Sequence, residues 1–265
     1  MNVLLRELKA HWKGILFWSL GMIALIGSGM AKYDAYQSTG QSINQLMAQF
    51  PKSVQIILGI SGFDLTTAAG FYGLLFIYIA IMAAIHAALI GSDMIAKEER
   101  DKTSEFLFSK PISRAKALTG KLLAGLAILA IFNLVTTLSS IYMVQYFNKG
   151  ASANHDILLL MAGLVFLQII FFSVGAAVAG VNKHQKSSAS IATSVLLLTF
   201  ILYFVINLND KLDFLKYLSP FKYFEAKDII TNAKLDPFYM VLSLVITVVL
   251  IASAYFTYSR RDLNV

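Results

Sequence analysis

Six long stretches without a single Asp, Glu, Lys or Arg divide the chain: residues 14–31, 65–92, 122–148, 157–182, 187–209 and 237–259. Five of them exceed 20 residues and the first has 18, close to the roughly 20 apolar residues that one helix needs to cross a bilayer. Composition agrees. Hydrophobic residues make up 57% of the 265, charged residues 14%, and mean hydropathy is +0.68. A soluble domain carries about 25% charge and could neither bury this much apolar surface nor stay dissolved with so little charge. An ordinary soluble enzyme or nucleic-acid-binding domain is thereby excluded, as is intrinsic disorder, which needs low hydrophobicity and high charge. A membrane barrel would alternate over segments of about ten residues, which these stretches do not. Cysteine is absent, which removes disulfides, thiolate metal sites and cysteine nucleophiles together. The expected fold class is an all-α integral membrane protein with six transmembrane helices. It forms a single domain over residues 1–265, because neither an internal repeat nor a low-complexity linker interrupts it. The first stretch reads as a span rather than a signal peptide, since thirteen residues precede it and no small-residue cleavage site follows.

Orientation follows from the Lys and Arg flanking the spans. With the N-terminus inside, 14 of the 22 basic residues face inward and eight face outward. The 15 acids split seven and eight, so the net charge of +7 sits wholly on the inner side. The expected topology is N-in and C-in, and the positive charge is accounted for without nucleic acid.

The connecting segments carry patterns of their own. Residues 1–13 read as an amphipathic helix lying in the inner interface, with Val3, Leu4, Leu8 and Trp12 near one face. The alternative is a first span that simply starts early. In the outer segment 32–64, Ile43, Leu46, Met47, Phe50, Val54 and Ile57 recur at helical spacing, interrupted by Pro51. Residues 210–236 mix aromatic and aliphatic side chains with five lysines. That mixture is too apolar for a free loop and too charged to span, so short helices at the outer interface are expected.

The connection between the second and third spans differs from the rest. Eleven of residues 93–116 are charged. Good helix formers run from Glu98 to Leu107, Pro111 stops the run, and Ser113 is placed to cap the third span. A short helix at the inner surface results, over 98–108, with acids on one part and Phe106, Leu107 and Phe108 on another. Such a helix suits the docking of a partner; a solvated loop whose charges only set topology is the alternative.

The order Glu98-Glu99, Thr103, Glu105-Phe106-Leu107, Pro111-Ile112-Ser113-Arg114 and Gly120-Lys121-Leu122 resembles the cytoplasmic coupling segment of ABC-2 type transporter permeases. In that family a Gly-Thr pair follows the two acids; here Lys102 stands at the Gly position. Leu218-Ser219-Pro220-Phe221 and the ending Tyr258-Ser259-Arg260-Arg261-Asp262-Leu263 are similar to the family's outer segment and tail. The resemblance implies a permease subunit that pairs with a second permease chain, as homodimer or heterodimer. Each chain would dock a cytoplasmic ABC ATPase subunit through the coupling helix and lie in the plasma or inner membrane of a bacterial cell. It implies that Glu98, Glu99, Thr103, Glu105, Phe106 and Leu107 form the docking surface, with Pro111 and Arg114 fixing the return into the membrane. ATP and Mg would reside on the partner ATPase, and this chain would hold no cofactor of its own. Most members of the family export, with cargo ranging over peptides, drugs, lipids and glycans.

Other signals point less sharply. Gly120-Lys121 looks like the end of a P-loop, but Ala115 and Leu122 occupy the positions that need Gly and Ser or Thr. The chain therefore lacks a Walker motif and is not expected to be an enzyme. His86 lies inside the second span, where an ionisable group is unusual. It is either a polar lining of a conduit or a neutral ring bonded to a neighbouring helix. Asn133, with Thr136, Thr137, Ser139 and Ser140 on the third span, either lines such a route or makes interhelical hydrogen bonds. Gly175, Ala176, Ala179 and Gly180 form a small-residue face for close helix approach, at a dimer seam or within the chain. No His or carboxylate cluster has ligand spacing, so no metal site is expected. The absence of charge within the spans disfavours an ion-coupled transporter. The remaining alternatives to an ATP-driven exporter are a passive channel and a membrane anchor or scaffold.

Overall fold

The computed structural model describes residues 3–101, 113–149 and 153–260. Its long elements are α1 (Val3–Met30), α5 (Ala68–Arg100), α6 (Arg114–Phe147), α7 (Asn154–Val181), α8 (Ser188–Leu208) and α11 (Pro237–Arg260). These correspond to the six stretches, and each is long and apolar enough to cross a membrane. Hydrocarbon offers no hydrogen-bond partner to an open backbone, so every span closes its N–H and C=O groups within itself. No strand occurs among the described residues.

Helix α1 runs without a break from Val3 to Met30. Residues 3–13, expected to lie in the interface, thus continue directly into the first span as one helix. Of its polar residues, Glu7 is buried, and Arg6, Glu7 and His11 contact Glu98, Lys97 and Asp93 of α5. The short elements meet expectation. Between α1 and α5 lie α2 (Tyr33–Thr39), α3 (Gln41–Ala48) and α4 (Lys52–Ile57), with Pro51 at the N-cap of α4. A 3₁₀ turn over Asp210–Leu218, then α9 (Pro220–Tyr223) and α10 (Ala226–Asn232), connects α8 to α11. Pro220 takes the first turn of α9, where its missing N–H costs nothing. Phe221, Tyr223, Phe224 and Ile229 of this connection are buried, so it tucks into the bundle.

Thr67 and Ser113 cap α5 and α6, their hydroxyls accepting from Gly70 N (3.1 Å) and Lys116 N (3.3 Å). At about 1.5 Å per residue, the 33 residues of α5 extend roughly 50 Å, well beyond a hydrocarbon core of about 30 Å. The charge-free part of α5 ends at Ser92, so its last two turns, with Asp93, Lys97, Glu98, Glu99 and Arg100, are the charged end of the helix.

Helix α5 is the central element. Its main partner is α7, which in turn packs against α11, while α1 lies along α6. The α5–α7 seam is made of small residues: Ala84, Ala87, Ala88 and Gly91 meet Gly175, Ala176 and Ala179, all buried. A Cβ built on Gly91 would collide with the Phe172 carbonyl oxygen, and one on Gly175 with that of Ala88. The two backbones therefore touch directly, the arrangement by which membrane helices associate through van der Waals contact where no hydrophobic force separates helix from lipid. Gly180 plays the same part against α11, where its Cβ would lie 3.1 Å from Ala254 Cα. The small-residue face of the fourth span is thus an internal seam. By contrast, α8 and α11 turn Leu198, Ile201, Val241 and Val248 outward, as lipid-facing helices do.

The seam predicts a sharp contrast. Gly175→Val should lower the melting temperature of the detergent-solubilised protein markedly, by overpacking worth at least about 1–3 kcal/mol. Gly14→Ala, at a position with nothing within 4 Å, should leave it unchanged or slightly raised. Equal behaviour of the two in a thermal-unfolding assay would show that the helices do not touch there.

Candidate functional site at the α5–α6 junction

The charges that flank the first three spans converge where α5 ends and α6 begins. Lys121, about two turns into α6, is 1% exposed. Its ammonium donates to the Met94 carbonyl at 2.9 Å and to Glu98 Oε2. The other oxygen of Glu98 accepts from Arg6 Nη2 of α1 at 3.0 Å. Arg6 also binds Glu7 at 2.6 Å, and Lys97 lies 3.7 Å from the same carboxylate. A second cluster sits beside the first. His11 Nε2 contacts Asp93 at 2.9 Å, His11 Nδ1 faces the Glu7 carbonyl at 2.9 Å, and Arg100 donates to Asp93 at 2.7 Å. Three helices are joined by these pairs, and opposite charges almost balance within them.

The energetic logic is that of buried ion pairs. Placing Lys121 and Glu98 out of water is costly, and their mutual attraction offsets that cost only while both are present. The pair is therefore a poor source of net stability but a strong constraint on geometry. It staples the end of α5 to the start of α6, so the two ends of the intervening segment cannot separate. Arg6 adds α1 to the same staple.

The residues singled out in the sequence fall into three groups. Glu98 is buried and bound within the chain, so its carboxylate faces Lys121 and Arg6 rather than outward. Glu99 and Arg114 are half-buried at the two rims of the junction. Thr103, Glu105, Phe106, Leu107 and Pro111 lie outside the described residues. Of the span residues, Asn133 donates to Gln168 Oε1 on α7 at 3.0 Å and accepts from Thr137, an interhelical bond of the kind worth about 0.6 kcal/mol. His86 is buried between the rings of Trp18 and Phe132, with centroids 5.2 and 4.4 Å away, and neither ring nitrogen has a hydrogen-bond partner among the described residues. The interhelical hydrogen bond expected for a structural His86 is therefore absent: aromatic faces surround the ring and present no acceptor. No cluster of three or more possible metal ligands occurs among the described residues.

Arg6, Glu7, His11, Asp93 and Lys121 were not legible as one site. Each reads alone as a charge that marks a span boundary. The available signal was that acids and bases of both signs flank the same end of three successive spans, which a topogenic role alone does not require.

The staple predicts non-additive stability. Lys121→Met alone should destabilise the protein by about 3–5 kcal/mol, because it leaves Glu98 buried against a single remaining base. Combining it with Glu98→Gln should recover most of that loss. Thermal unfolding of the two single variants and the double variant reads the coupling, and simple additivity would show that the pair is not buried.

This arrangement of six spanning helices, with a polar junction where the second hands over to the third, agrees with the comparison to known families. No curated protein matches the chain. A family model does, over residues 1–263, and its description is ABC-2 family transporter protein. The chain is a multi-pass membrane protein and belongs to the ABC-2 family, as a membrane permease subunit of an ABC transporter rather than a catalytic one.

Proposed function

We propose that this permease works in an ATP-driven exporter, forms the substrate path as a dimer, and is driven by cytoplasmic ATPase subunits through segment 98–108. The observation that carries the reading is the buried staple of Glu98, Lys121 and Arg6. A partner pressing on a segment between two spans does useful work only if the push reaches those spans as a unit. The staple supplies this, because α1, α5 and α6 are tied at the root of the segment. Displacement there moves packed helices as rigid bodies, and the backbone-to-backbone seam carries the movement on from α5 to α7.

In this reading the junction end of the bundle faces the cytoplasm, as the excess of Lys and Arg supports. Glu99, Thr103, Glu105, Phe106 and Leu107 meet the ATPase, the acids opposite basic groups and the apolar pair in a pocket that supplies most of the affinity. Glu98 acts differently from its neighbour: it positions the segment from inside. Pro111 and Arg114 set its return into the membrane. ATP and Mg are bound by the partner, since the chain carries no Walker sequence. The location is a plasma or inner membrane, in a bacterium.

Co-purification with the candidate ATPase tests the reading. Wild type should retain the ATPase in detergent, and Glu99→Arg combined with Leu107→Asp should lose it while remaining folded. Retention by the double variant would reduce segment 98–108 to a connecting loop. Failure of any ATPase to associate with wild type would overturn ATP coupling.

A further inference from the structure

At the end of the bundle opposite the ion-pair junction, a cavity of about 320 Å³ opens among α4, α5, α7, α8 and the α9–α10 connection. That volume lies at the lower end of the range typical of small-molecule sites. Its floor is apolar: Phe76, Ile77 and Ala80 of α5, Leu167 of α7 and Ile206 of α8. Ala80 is twelve residues into α5, about 18 Å along the axis, so the floor reaches hydrocarbon depth.

One wall is polar and closed on itself. Glu225 accepts from the Tyr203 hydroxyl at 3.1 Å and pairs with Lys222, whose ammonium also donates to Asn207 Oδ1 at 2.7 Å. This set ties α8 to the α9–α10 connection and keeps the cavity open with a fixed shape. The rim is different. Lys52 and Lys227 of one sign and Asp210, Asp213 and Asp228 of the other line it, all five exposed, and Asp213 already has its own partner in Lys216 at 2.7 Å. The Lys227 side chain passes over the backbone at Gly62, whose φ of +84° favours glycine; a Cβ there would approach Lys227 Nζ to 2.6 Å and displace the lysine. Although the residue is exposed at the rim, partial desolvation of its carboxyl against the wall, reinforced by neighbouring Glu225, pushes Asp228 up, against the pull of Lys222 and Lys227.

We propose that this cavity binds a zwitterionic amphiphile, its apolar chain on the floor and its head group across the rim. A purely polar ligand would leave the floor unfilled. A head of one sign would meet like charges on part of the rim, which acts against it. A head carrying an ammonium and a phosphate or carboxylate meets Asp210 and Asp228 with one group and Lys52 and Lys227 with the other. Binding belongs to this chain alone and does not depend on ATP-driven transport.

The test is equilibrium binding to the purified full chain in a nonionic maltoside, read by native mass spectrometry. Three probes share one chain length: a lysophosphatidylcholine, a lysophosphatidylglycerol and an alkyltrimethylammonium. The zwitterion should bind at least tenfold more tightly than either singly charged probe. Ala80→Trp, which fills the floor, should abolish its retention. Lys227→Glu, an exposed change that leaves the core untouched, should shift preference to the cationic probe and so keeps the proposal testable if Ala80→Trp does not fold. Equal retention of all three probes, or no shift with Lys227→Glu, would overturn the proposal and reduce the binding to a nonspecific belt of amphiphile. Neither result bears on ATPase association, which the co-purification reads separately.

Discussion

Hydrocarbon has no hydrogen-bonding capacity, and most of this structure follows from that single deficiency. The backbone must satisfy itself, so the chain is helical wherever it crosses. Lipid is as apolar as the helices, so burying leucine brings them no closer together. What draws α5 to α7 is close contact, and Gly91 and Gly175 permit it by removing the side chains that would hold the backbones apart. The same deficiency governs polar side chains. Asn133 finds Gln168, and Tyr72 donates to Ser140 at 2.6 Å, because within the spans no water is available instead.

Charge is consequently driven to the two ends, and the ends differ in what they do with it. At the α5–α6 junction, ions are buried and matched: Lys121 with Glu98, Arg6 with Glu98 and Glu7, His11 and Arg100 with Asp93. Matching of that kind fixes geometry, which suits a site that transmits force. At the opposite end, the matched pair of Lys222 and Glu225 forms a wall, while Lys52, Lys227, Asp210 and Asp228 remain exposed around an apolar hollow. Unmatched charge beside apolar surface suits recognition.

His86 stands apart from both ends. An imidazole with neither nitrogen bonded among the described residues, enclosed by Trp18 and Phe132, is a polar group buried without the usual compensation. Its contacts are those of an aromatic residue, and its ring joins α1, α5 and α6 as a packing element does. It lines neither the junction nor the cavity.

The six spans, the short helices interrupted at Pro51, the cap at Ser113 and the family resemblance were all legible in the residues. Each is decided by short-range physics: charge-free length against bilayer thickness, helical periodicity, and the local chemistry of Ser and Pro. What required the tertiary structure was partnership across distance. Nothing in the sequence around Glu98 distinguishes it from Glu99, yet one faces Lys121 and Arg6 from within while the other sits at the rim. The rotation of α5 about its axis decides this, and that rotation is set by the glycine seam with α7 some turns away. Residues 3–13 likewise carry charges that look alike in the sequence, and only the presence of α5 beside them buries Glu7 and pairs Arg6 and His11 while Lys9 and Lys13 stay exposed. The sequence alone determined how many times the chain crosses and where. The tertiary structure decided which charges meet, because ion pairing and cavity shape depend on helix rotation and register, which a local pattern does not encode.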